Sequence, residues 1–81
     1  FDPKVAREFK KLCRNNSPLF SRLTKTIDSL ILNPFQGKPL AGNKKGCYSL
    51  REGEYRIIYE VYPAQTIIHI IKVGHRRDVY R

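Results

Sequence analysis

Acidic residues are scarce in this chain: seven Asp and Glu stand against 16 Lys and Arg, a formal charge of +9 over 81 residues. A short chain so unbalanced repels itself unless a polyanion or an acidic partner is near, and nucleic acid is the first candidate. An anionic membrane surface would attract the same charge. However, no run approaches the ~18 to 20 apolar residues that spanning requires, and no secretory signal pattern is present. A soluble, cytoplasmic protein is expected. Cysteine is also sparse: Cys13 and Cys47 form no CxxC, and only two histidines accompany them, so neither a zinc site nor a redox motif has its ligand spacing. Two reduced, half-buried thiols are the expectation. Repeats and low-complexity tracts are missing, which leaves one domain over residues 1–81, near the lower size limit for a self-sufficient core. An initiating methionine is missing as well. Because the first residue is Phe1, the numbering is expected to begin inside a longer natural chain.

What is present divides by periodicity. In "FDPKVAREFKKLC", Asp2 is placed to cap a helix and Pro3 to occupy its first position, with Val5, Phe9, Leu12 and Cys13 at helical spacing. Asn15 and Asn16 break it, and a second helix restarts with Ser17 capping and Pro18 in the first turn. Phe20, Leu23, Ile27, Leu30 and Ile31 give this helix an apolar stripe, and Asn33-Pro34 stops it. Two helices so closely linked predict an antiparallel hairpin lying on something flat. From Phe35 to Gly46, three glycines, a proline and three lysines predict a surface loop. Beyond it the period becomes two: "CYSLR", "EYRIIYEVY" and "TIIHIIKV" predict an antiparallel meander. The last run is apolar on both faces, so it is expected to be the central or best-covered strand.

Alternation sets Cys47, Ser49 and Arg51 on one face of the meander, with Arg56, Ile58 and Glu60 across from them. A two-residue turn at Glu52-Gly53 would oppose Ser49 to Arg56, and a four-residue loop would oppose Arg51 to Arg56. A three-residue loop with a bulge would split them between faces. Cofacial arginines repel and gain nothing structurally, so an anion between them is the functional reading; solvated edge charges that discourage aggregation are the bland one. After Val73, Gly74 is expected to bend the chain sharply, bringing His75, Arg76 and Arg77 out beside the polar face, with Tyr80 folding back. Guanidiniums, an imidazole and a phenol without a carboxylate cluster suit metal-free phosphodiester chemistry, needing no cofactor. His69, inside the last strand, is expected to be satisfied by a neighbour.

The order of helix hairpin, basic loop, "CYSLREGEYRIIYEV" and "TIIHIIKVGHRRDVY" resembles the RelE/ParE superfamily of toxins from prokaryotic toxin-antitoxin pairs, end to end. The resemblance implies an α+β fold, with an N-terminal helix hairpin on a small antiparallel sheet of three or four strands. It also implies a first strand that precedes this chain and ends at Phe1. In function, it implies a metal-independent endoribonuclease that cuts mRNA in the ribosomal A site, leaving a 2′,3′-cyclic phosphate and a 5′-OH. Arg56 would stabilise the phosphorane, Arg76 would meet phosphate and leaving group, and Tyr80 would orient or stack on the substrate. Arg77 is the alternative phosphate ligand. Two lysines of well-known RelE-type members fall at Ser49 and Arg51, so the cation is kept only at Arg51, and His75 is the candidate general base. Lys44, Lys45, Ser49, Arg77 and Arg81 are the expected RNA contacts. A co-expressed, RelB-like acidic antitoxin is the implied partner, in a hetero-oligomer, beside mRNA and ribosomal RNA. Two other readings remain open: a ParE-like gyrase inhibitor, and an inactive relative that binds antitoxin or RNA only.

Overall fold

A computed structural model describes residues 2–40, 46–65 and 67–79. Helix α1 (Pro3–Leu12) begins as its sequence dictates: Asp2 Oδ1 accepts the Lys4 N–H at 2.8 Å, and Pro3 occupies a position whose N–H would have no partner. It buries Val5 and Phe9 and ends at the buried Cys13. Asn15 then adopts a left-handed φ of 59°, which asparagine tolerates well. Helix α2 (Ser17–Leu32) is capped by Asn16, whose Oδ1 accepts the Leu19 N–H at 3.2 Å. The expected cap, Ser17, is already inside the first turn.

The stripe on α2 is also shifted. Leu19, Leu23 and Leu30 are buried, whereas Phe20 is 45% and Ile31 76% exposed. Apolar residues on this helix exceed one face, so spacing alone did not fix which of Leu19 or Phe20 points inward. Phe20 stacks instead on Phe9, ring centroids 5.4 Å apart, and joins the two helices at their turn.

The sheet has four antiparallel strands in the order β1 (Lys38–Pro39), β2 (Cys47–Glu52), β3 (Tyr55–Tyr62) and β4 (Ile67–His75). A two-residue strand therefore interrupts the segment expected to be all loop. The strand expected to end at Phe1 falls outside the described residues. β3, not β4, is central and most buried, and among the described residues β4 pairs on one side only. The misleading signal in β4 is a bulge. Ile58 pairs with Lys72 and Tyr59 with Ile70, so Ile71 has no partner and alternation changes phase there. Ile70 and Val73 thus face the same side, and the run reads as apolar on both faces while being covered on one.

The helices cover one sheet face. Val5, Phe9, Cys13, Leu19, Leu23 and Leu30 meet Ile57, Tyr59, Ile70 and Val73 in the core. Both cysteines are buried thiols and form no disulfide with each other, and burial pushes Cys13 above the ordinary thiol range, which keeps it protonated and unreactive. A final turn of helix, α3 (Arg76–Val79), follows β4 directly. No helix among the described residues is long and apolar enough to cross a membrane.

Candidate anion site on the outer sheet face

The hairpin register brings the two arginines together. Arg51 pairs directly with Arg56, and Glu52 with Tyr55, around a two-residue loop of Gly53 and Glu54. Gly53, at φ 59°, takes the first loop position, where a type II′ turn places glycine. This is the register of the expected four-residue loop, closed by one further pair. The neighbouring acid is turned away: Glu52 accepts a hydrogen bond from Thr26 Oγ1 at 2.7 Å and lies 3.9 Å from Arg22 Nε, both on α2. Its charge therefore serves the helix-covered side rather than Arg51 and Arg56 on the other.

Lys38, Leu40, Ser49, Arg51 and Arg56 line a shallow cavity of about 420 Å³ on that outer face. Three of the five are cations and none is an acid, a lining that suits anions. Arg56 is half-buried, and its Nη1 is buried without a hydrogen-bond partner among the described residues. A buried donor left unpaired is destabilising, so this atom has a standing affinity for an acceptor. Ser49, also buried, adds a neutral wall. Lys38 was missed as a site residue because a two-residue strand has no periodicity; its position emerges only from its pairing with Ser49.

The C-terminal segment departs from expectation. Gly74 does not bend the chain: it continues β4 and pairs with Arg56. Its value is space, since a methyl group on Gly74 would lie 3.2 Å from Val79 Cγ2. Val79 is buried over the strand at Arg56's flank. The turn comes after His75, where the Arg76 N–H donates to the Glu54 carbonyl at 2.8 Å and Arg76 Nε meets Glu54 Oε2 at 2.9 Å. Arg76 is thus at the hairpin end of the site, paired with an exposed acid. His75 is not beside the arginines. The phase change at Ile71 places it with Tyr55 on the helix side, its ring edge-on to Tyr55 with centroids 5.5 Å apart. His75 Nδ1 accepts the Arg77 N–H at 3.2 Å, which fixes the neutral ring as the Nε2–H tautomer, a donor. The Arg77 side chain is exposed. Tyr80, Arg81, Lys44 and Lys45 lie outside the described residues.

His69 has the neighbour expected for it: Glu60, its cross-strand partner, lies 3.8 Å from Nδ1. Tyr62 donates to the same carboxylate at 3.0 Å, and that hydrogen bond raises its phenol above the ordinary range. Among the described residues no group of three His, Cys, Asp or Glu side chains could hold a metal ion.

A helix hairpin on one face of a four-stranded antiparallel sheet, with a cation-lined cavity on the other, defines a small α+β protein. Residues 1–80 match the model of the family described as ParE toxin of type II toxin-antitoxin system, parDE. The chain belongs to that family, within the RelE/ParE toxin superfamily. Toxin RelG of Mycobacterium tuberculosis is 42% identical over 45 residues, 56% of this chain and 52% of the relative. Toxin RelE of the same organism is 36% identical over 53 residues, 64% of this chain and 55% of the relative. The chain therefore spans about half the length of the curated relatives it matches. Among solved structures, the toxin-antitoxin complex RelBE2 from M. tuberculosis contains a chain with TM-score 0.80 and 28% identity, covering 94% of this chain and 93% of that one. The YoeB-YefM complex from Staphylococcus aureus gives TM-score 0.74 at 23% identity, covering 93% and 91%, a likeness of fold.

Proposed function

We propose that the chain is a single-domain toxin with endoribonuclease activity on mRNA at the ribosome, acting in the cytoplasm. The observation that carries this reading is the Arg51–Arg56 pair lining one cavity, with Arg56 Nη1 buried and unsatisfied. In the proposed reaction the ribose 2′-oxygen bonds to the adjacent phosphorus and the bond to the 5′-oxygen breaks. The hydroxyl proton leaves to water in the solvent-open cavity, and the departing oxygen takes one from water. Arg51 and Arg56 hold the phosphate and stabilise the additional negative charge of the phosphorane. Arg76 exchanges its exposed Glu54 partner, a contact that contributes little stability, for phosphate or leaving group. Tyr80 stacks on the substrate. His75 has no proton-acceptor role in this scheme, because Nδ1 is engaged by Arg77 and the ring lies on the helix side.

A cognate, RelB-like antitoxin is the proposed protein partner, drawn by a charge of +9. Its apolar contacts have a ready place. Exposed Ile31, Phe35, Tyr62 and Ile67 line a groove of about 400 Å³ between the end of α2 and the start of β4, an unusual apolar exposure for so small a protein.

Purified protein added to ribosomes programmed with mRNA is expected to produce new 5′-OH ends and 2′,3′-cyclic phosphates. Uncut mRNA would overturn the nuclease reading. The second reading, a gyrase inhibitor with no chemistry of its own, is favoured by the description of the matching family. Trapped gyrase-DNA complexes beside intact mRNA would establish it.

A further inference from the structure

We propose that Lys38 is a third phosphate-binding cation of this site, touching the same phosphate as Arg51 and Arg56, and that buried Tyr59 is the positioning residue that holds it there. The proposal deepens the nuclease reading and rests on it. Lys38 pairs directly across β1 and β2 with Ser49, so the two share the outer face, and Lys38 lines the cavity with both arginines. The position beside Arg51 on its own strand is a neutral serine; the charge comes from the next strand instead.

An exposed lysine is ordinarily a solvated charge, and a strand of two residues cannot hold itself in place. This one is anchored from the core. The Gly37 N–H donates to Tyr59 Oη at 3.0 Å, immediately before Lys38, and Tyr59 is fully buried. Glycine is required for the approach: a methyl group there would lie 2.7 Å from Tyr59 Oη and 3.0 Å from the Ser49 carbonyl. Tyr59 is itself fixed by stacking on Tyr48, centroids 5.5 Å apart, and Phe35 meets Tyr48 edge-on at 5.6 Å. On the far side, the Leu40 N–H donates to the Cys47 carbonyl at 2.9 Å. The backbone of Lys38 is therefore pinned before and after, and its side chain lines one cavity with two arginines and no acid. Three like charges so placed repel one another until an anion arrives. The compact ammonium suits one non-bridging phosphate oxygen, while the planar guanidiniums fork the others. When the phosphorane forms, its second negative charge develops against all three.

Single-turnover cleavage by the parent, Lys38→Ala, Lys38→Arg and Lys25→Ala tests the assignment; Lys25 is exposed on α2, away from the cavity. Lys38→Ala is expected to be slower by about 10- to 100-fold, a loss in the range of a removed transition-state donor or somewhat below it. Lys38→Arg, which keeps the charge, should stay within about threefold of the parent, and Lys25→Ala should match it. Tyr59→Phe removes the acceptor for Gly37; it should slow the parent enzyme yet add nothing to Lys38→Ala, a non-additivity that loss of stability alone does not produce. Parent-like cleavage by Lys38→Ala, an equal loss in Lys38→Arg, or an equal loss in Lys25→Ala would each overturn the proposal. If the parent cuts no RNA, the nuclease reading fails instead. Affinity for an oligonucleotide with 2′-deoxyribose at the scissile position then still decides on Lys38: an unchanged Kd in Lys38→Ala sinks the contact, and a weakened one supports it.

Discussion

On the proposed reading, Arg56 serves binding at the expense of the free fold. Its Nη1, buried and unpaired among the described residues, would cost the protein without an anion about 1–3 kcal/mol, as a buried donor without an acceptor does. Arg56→Ala is therefore expected to leave the thermal midpoint at or above that of the parent while lowering cleavage by about 100-fold or more. A midpoint that collapses would mean that the side chain belongs to the fold and not to the site. The pairing of Arg51 with Arg56 was legible from period-two alternation, since most short turns keep those residues on one face. His75 was not legible in the same way, because no residue in "TIIHIIKVGH" announces that Ile71 will be left without a partner.

At the level of elements, caps were easier to read than faces. Asp2, Pro3 and Asn33 act where their chemistry suggests, while α2 offers both Leu19 and Phe20 and only packing selects between them. β1 was invisible because its cause lies 22 positions along the chain, in the phenol that meets Gly37. Element α3 is equally dependent on a distant fit, seated over a strand position that has no side chain. Gly74→Val should therefore overpack this contact, lowering stability by about 1–3 kcal/mol and loosening α3. Hydrogen exchange at the amides of α3 would report it; unchanged protection there, with parent-like stability, would mean that Val79 has another seat.

Across the whole molecule, charge and main core are divided by the sheet: α1, α2 and the core beneath them on one side, the cationic cavity on the other. Net charge pointed to a polyanion before any fold was known, but it could not say which of 16 cations gather. On the proposed reading the three cations of the cavity contribute about −2 to the log-log salt slope for single-stranded RNA, from roughly −0.7 per contact, and Arg76 or any further phosphate contact steepens it. Binding that ignores salt would rule out a phosphate-led interaction. The division between sides depends on one unpaired residue. Past Ile71 the strand changes parity, so odd and even positions exchange sides for the rest of β4. Had β4 kept strict alternation from Ile70, the imidazole of His75 would have been dealt to the arginines' side and Gly74 to the core. The surplus residue thus acts as a frameshift in space, choosing which of the tail's side chains share the arginines' side without altering a single letter of the tail.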